Sequence, residues 1–100
     1  MRKNTSELFD DSQFSDLREA VLTSLFVLNK TDVITSVYHY EEDGMWTFFG
    51  DSEVAESDYR LVAIEEIVDL DPSILLLPDM KPGFYARRKG VNDTFVIASI

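Results

Sequence analysis

One hundred residues, 45% of them apolar, are enough for one hydrophobic core and too few for two. The absence of cysteine excludes disulfides, a thiol nucleophile and cysteine-ligated zinc or iron–sulfur centres. A net charge of −10 repels phosphates and anionic lipid, so nucleic acid and membrane are not expected as partners, whereas a basic protein is.

The charge is unevenly placed. Residues 1–30 and 61–100 are nearly balanced, at net −1 and −2, and residues 31–60 carry net −7. The opening "MRKNTSELFDD" has two bases with no apolar run behind them, which is not the pattern of a secretory signal. The longest apolar run, Ala20 to Leu28, falls well short of the roughly 20 residues that span a bilayer. A soluble, cytoplasmic protein is expected, with residues 1–100 as one domain and 1–11 as a loosely attached lead-in.

Taken in chain order, Phe14, Leu17, Val21, Leu25 and Leu28 recur at three- and four-residue steps, the period of a helix face. The spacing predicts a helix over 13–20, with Asp11 or Ser12 as its cap and Asn29 as a left-handed terminator. Residues 21–28 are apolar on nearly every side, and periodicity leaves helix and strand both open there. Strands are predicted at Val33–Tyr40 and Met45–Phe49, joined through Glu41-Glu42-Asp43-Gly44, with Gly44 supplying the positive φ of the turn. Alternation sets Ile34, Ser36, Tyr38 and Tyr40 on one face and Val33, Thr35, Val37 and His39 on the other, while Trp46 and Phe48 share a face, with Met45, Thr47 and Phe49 on the other. Both faces are apolar, as in a strand covered on both sides.

An acidic connector, Asp51–Asp58, leads to a third strand at Arg60–Ile64. One or two helical turns are expected over Glu65–Leu70, then a second short helix with Asp71 as cap and Pro72 in its first turn. After the turn at Lys81–Gly83, a closing hairpin is predicted from Phe84–Arg88 and Thr94–Ala98, turning near Gly90–Asp93. These elements sum to an α+β fold: a single small domain with a mostly antiparallel sheet of about five strands, one longer N-terminal helix and one or two short helices.

The chemistry-bearing residues are few. His39 is the one histidine, so any histidine-based catalysis rests on it, and metal sites needing two histidines are excluded. Glu65, Glu66, Asp69 and Asp71 lack the alternate spacing of a calcium loop and read as a solvated helix face. The glycines stand singly, which excludes a phosphate-cradling loop, and no G-x-S-x-G setting surrounds a serine. Arg87-Arg88-Lys89 reads as protection of an edge strand. No catalytic residues, metal or cofactor are assigned. Trp46 has two readings, a core anchor of the sheet or an exposed interaction hot spot beside the acids.

Three segments together resemble a bacterial family of small proteins, first described as a domain of unknown function and later as predicted immunity proteins (number thirty-three) of polymorphic toxin systems. The first falls on Val37, His39, Asp43, Gly44, Trp46, Phe48 and Gly50. The second falls on Glu66, Ile67, Asp71, Pro72, Ser73, Leu77 and Gly83, and the third on Ala86 and Arg88. The match spans roughly residues 20–98, with Phe84 and Phe95 where the pattern has tryptophan. The resemblance implies an α+β fold and neutralisation of a toxin by binding, with no catalytic residues to carry over.

The sequence therefore leads to a non-enzymatic protein-binding module, in the form of an immunity-type inhibitor of a basic toxin. Trp46, Asp51, Glu53, Glu56 and Asp58 are its candidate binding residues: the acids steer a basic partner and the aromatics supply a desolvated centre. The alternatives are a small regulatory or ligand-binding domain with a pocket between sheet and helix, and an enzyme built on His39. Homodimerisation through an exposed strand edge is left open.

Overall fold

The computed structural model describes residues 13–14 and 16–100. The expected lead-in at 1–11 and the caps at Asp11 and Ser12 lie outside them. Six strands are formed: β1 (Ala20–Ser24), β2 (Ser36–His39), β3 (Trp46–Phe49), β4 (Tyr59–Ala63), β5 (Phe84–Arg87) and β6 (Val96–Ser99). They make one sheet in the order β4-β1-β3-β2-β5-β6. Every neighbouring pair is antiparallel except β1 and β3, which run parallel with Leu22 opposite Thr47. The helices are short, α1 (Leu25–Leu28) and α2 (Ile64–Leu70), and are joined by 3-10 turns at Glu56–Asp58 and Pro72–Leu76.

Strand alternation sends Val21, Val37, Trp46, Phe48 and Ala86 to one face of the sheet. There they form a single core with Ile64, Ile67 and Val68 of α2, Ile74 of the following turn, and Phe14, Leu77 and Met80. The apolar positions of α2 fall at i, i+3 and i+4, one stripe of a helix, which is why so short a segment can cover a sheet face. Its flanks are set locally. Asp71 accepts a hydrogen bond from the Ser73 N–H at 3.1 Å, and Pro72 stands in the first turn, where its missing N–H costs nothing.

The fold is α+β, with differences from the expected elements. Residues 13–20 hold no helix among those described: Leu17 and Arg18 form a turn, and β1 begins at Ala20. The helical spacing from Phe14 to Leu28 is a coincidence of two structures. Val21 and Thr23 point into the core side of an interior strand, and Val27 buries itself from α1, whose cap is the Ser24 hydroxyl accepting from the Val27 N–H at 3.2 Å. The undecided stretch 21–28 is thus strand to Ser24 and helix from Leu25. The left-handed residue is Lys30 (φ 66°), one place beyond Asn29 (φ −90°). The sheet has six strands rather than about five, because β1 is added between β3 and β4.

The two hairpins stand as expected, with shorter strands, and β6 is displaced along the chain, from the expected Thr94–Ala98 to Val96–Ser99. Gly44 has φ 70° in the first turn, and the Asp93 N–H closes the second on Gly90 O at 3.0 Å. Arg87-Arg88-Lys89 does not guard an edge, since β5 lies between β2 and β6. Nor is the sheet covered on both sides: no described helix lies over the face that carries Tyr38 and Tyr85.

Candidate protein-binding face

The uncovered face can be written out from register alone. Leu61, Leu22, Thr47, Tyr38, Tyr85 and Ala98 form one row across the six strands. Tyr40 stands beyond it at one end of the strands, and Phe49 and Tyr59 stand at the other. The Tyr38 ring stacks on Tyr40 (5.7 Å between centroids, 12° between planes) and on Tyr85 (5.3 Å, 14°). Phe49 meets Tyr59 edge to face at 5.7 Å. The three stacked tyrosines are half-buried, and Leu61, at the far end of the row on β4, is 64% exposed. Flat rings held by their neighbours lose little side-chain freedom when a partner covers them.

Burial raises the Tyr40 phenol above its ordinary value, and the neighbouring Tyr38 adds to this. The Thr47 hydroxyl pulls the other way without forming a full hydrogen bond, since Thr47 Oγ1 is buried with no partner. The phenol hydroxyl can donate to or accept from a partner's polar groups, and the ring faces can receive a cation.

Acids flank both ends of the strands. Glu41, Glu42 and Asp43 form the exposed turn after Tyr40, and the acidic connector follows Phe49 and runs to Tyr59. The connector is anchored at its root. Gly50 lies against the 32–33 backbone so tightly that a Cβ would sit 2.7 Å from Val33 O. The Asp32 carboxylate accepts from the Ser52 N–H (3.0 Å) and hydroxyl (2.7 Å). Asp51 accepts from the Thr35 hydroxyl at 2.7 Å, and Asp58 from the Ala55 N–H at 3.0 Å. Glu53 and Glu56 are exposed and hold no such bond, so their charge is fully available to a partner.

The five residues singled out in the sequence are only partly brought together. Asp51, Glu53, Glu56 and Asp58 share the connector beyond Phe49. Trp46 is apart from them, at the other end of β3 and on the covered face, 5% exposed. It stacks on His39 (3.8 Å, 15°) and receives the edge of Phe14 at 4.8 Å. Trp46 is a core anchor. The aromatics that face solvent near the acids are Tyr38, Tyr40, Tyr85, Phe49 and Tyr59. Alternation already put Tyr38 and Tyr40 on one face; the missing knowledge was which face the helices would cover.

His39 and Arg88 have structural partners. The His39 Nδ1–H donates to Met80 O at 2.8 Å, which fixes its tautomer and ties β2 to the approach of β5. Arg88 turns inward, its side chain 1% exposed, and donates to Asp71 (2.8 Å), to the Ser73 hydroxyl (2.8 Å) and to Ile34 O (2.9 Å). Its guanidinium also lies over the Phe95 ring at 4.3 Å. No group of three or more His, Asp or Glu among the described residues is arranged to hold a metal ion. No helix among them is long and apolar enough to cross a membrane. An open groove of about 710 Å³ beside β5 is bordered by Asp51, Arg87, Lys89 and Asp93, charges of both signs. Comparison of the chain with protein-family models, with curated proteins and with solved structures finds no match.

Proposed function

We propose that the protein is a non-enzymatic binding module that receives a basic protein on the open face of its sheet, in the manner of an immunity-type inhibitor that occludes a toxin. The observation that supports this best is the stacked run Tyr40–Tyr38–Tyr85 on an uncovered face with acids at both ends of its strands. Tyrosines at the centre of a contact are the residues on which binding energy concentrates, and rim acids raise the encounter rate with a basic partner. Glu53 and Glu56 steer; Asp51 and Asp58 hold the connector in shape and add to its field. Trp46 acts beneath the surface, keeping β2 and β3 flat against the core.

The test is affinity capture of the tagged protein from its own cell lysate at low and moderate salt, with two variants beside it. A stoichiometric basic partner should be retained by the wild type and released as salt rises. Tyr38→Ala should weaken the complex by about 2 kcal/mol, roughly thirtyfold, as truncation of a central contact does. Glu53→Lys with Glu56→Lys should slow association and flatten its salt dependence. Absence of any stoichiometric partner, or one held equally by both variants, would refute the proposed face.

A further inference from the structure

Buried polar side chains in this protein are paired, with one exception. The Thr23 hydroxyl donates to Phe48 O at 2.6 Å, the Thr35 hydroxyl to Asp51 at 2.7 Å, and the Ser24 hydroxyl accepts from the Val27 N–H at 3.2 Å. Among the described residues, only the Thr47 Oγ1 atom is a buried side-chain oxygen or nitrogen without a partner. Thr47 is 2% exposed, and an orphaned hydroxyl at that depth has a cost that valine, of the same shape, does not have. Packing gives no reason for the oxygen.

Its position does. Alternation with the covered Trp46 and Phe48 turns Thr47 to the open face, opposite Leu22 on one side and Tyr38 on the other. The oxygen lies close enough to the Tyr40 phenol to act on it, without a full hydrogen bond between them. The Tyr40 backbone is fixed, its N–H on Met45 O and its carbonyl on the Gly44 N–H, both at 2.9 Å. The ring is stacked on Tyr38, so it can turn aside at the cost of that stack. Beyond burial and Tyr38, the Glu42 carboxylate adds to the rise of this phenol, so the field of the exposed turn Glu41-Glu42-Asp43 reaches the same spot.

We infer that the Thr47 and Tyr40 hydroxyls are the seat of a primary ammonium ion, a lysine of the basic partner, which donates to both oxygens while its apolar stem lies along the Tyr38 and Tyr40 rings. The acids of the turn select a cation over a neutral donor. The two acceptors select an ammonium over a guanidinium. A compact head with three rotatable donors on a flexible stem can reach a recessed oxygen, whereas a planar fork is matched to the paired oxygens of a carboxylate or phosphate. The inference rests on the proposed function for the source of the ammonium, and the seat itself can be tested without any partner.

The test is a titration of the full chain with n-butylammonium chloride, followed by the resonances of the Thr47 methyl and the Tyr38 and Tyr40 rings, against sodium chloride of equal strength. The affinity of so small a cation should be of millimolar order. n-Butylguanidinium and 1-pentanol should bind at least about fivefold more weakly. Thr47→Val should weaken the ammonium at least about tenfold while melting no lower than the wild type, and Thr47→Ser, which restores the hydroxyl, should retain it. Tyr40→Phe, which keeps the ring and removes the second oxygen, should weaken it severalfold and decides the matter if Thr47→Val does not fold. Shifts confined to Glu41, Glu42 and Asp43, equal binding of the guanidinium or the alcohol, or indifference to both variants would each overturn the inference. So would a Thr47→Val protein that melts below the wild type, since the hydroxyl would then already have a partner. A captured basic protein indifferent to Thr47→Val refutes the lysine anchor and leaves the face standing. An ammonium seated as expected with no partner captured upholds the seat and refutes the binding module.

Discussion

Replacing Arg88 by alanine should be among the most damaging single changes in this protein, and the reason is local. The guanidinium is almost fully buried and serves five groups: the Asp71 carboxylate, the Ser73 hydroxyl, the Ile34 and Val91 carbonyls and the face of Phe95. Alanine leaves the Asp71 charge, itself only 15% exposed, with the Ser73 N–H and hydroxyl as its remaining donors. Breaking a buried pair from one side costs about 3–5 kcal/mol, because the orphaned charge stays behind. A domain of this size has on the order of 5–15 kcal/mol in all. At roughly 4–8 °C per kcal/mol, the melting temperature should fall by at least about 12 °C. Urea denaturation at neutral pH measures this directly, and a cycle with Asp71→Asn separates the pair from the other contacts. Asp71→Asn with Arg88→Met, which removes both charges and keeps the volume, should recover much of the loss. A cost for Arg88→Ala below about 1 kcal/mol, the worth of an exposed pair, would refute the reasoning. So would a double variant no more stable than Arg88→Ala.

Thr47→Val should stabilise the protein by about 1 kcal/mol, since it replaces a buried hydroxyl without a partner by a methyl group of the same shape; a loss of stability would show that the hydroxyl bonds Tyr40 after all. The raised Tyr40 phenol binds its proton more tightly in the folded state than in the unfolded one. Folding stability should therefore be independent of this group below its ordinary pKa of 10.0 and fall as pH rises through the folded value. Tyr40→Phe should remove that part of the slope in urea melts, and an unchanged slope would refute the assignment. Gly50→Ala should destabilise by about 1–3 kcal/mol, as overpacking does, because its Cβ meets Asp32 and the Val33 carbonyl; an unchanged urea midpoint would mean the 32–33 backbone yields freely.

The parts of the fold legible in the sequence are those set by neighbours in the chain. Gly44 at positive φ, Asp71 and Pro72 opening a turn, and the Gly90–Asp93 reversal all act over four residues or fewer, and turn chemistry names them. The misread segment is governed by distance. β1 is a strand because Leu22 lies parallel to Thr47 and antiparallel to Leu61, pairings no local spacing announces. Its apolar residues happen to fall at helical steps, and tertiary pairing overrides that pattern. The same ignorance of layering hid the candidate face. Tyr38 and Trp46 look alike as strand aromatics, and only the layering of the fold, which brings Phe14 onto the Trp46 ring, decides that Trp46 is covered and Tyr38 is not.

That division bears on where binding specificity can lie. The positions that carry the resemblance noted in the sequence fall mostly on structural tasks here. Gly44 makes a turn, Gly50 permits a close approach, and Val37, Trp46, Phe48, Ile67, Leu77 and Ala86 are core. His39 backs the Trp46 ring, and Asp71, Ser73 and Arg88 form one buried clamp. Such a set secures a sheet with one face packed and leaves the other face free to vary. Tyr38, Tyr85, Phe49, Tyr59, Leu61, Glu53 and Glu56 all lie outside it. They can change without disturbing the core, since none of them is in the buried cluster. Exchanging Tyr38, Tyr85 and Leu61 together should therefore abolish binding while costing far less stability than Arg88→Ala alone. A triple variant that unfolds instead would place the tyrosine ladder in the scaffold and remove it from the binding face.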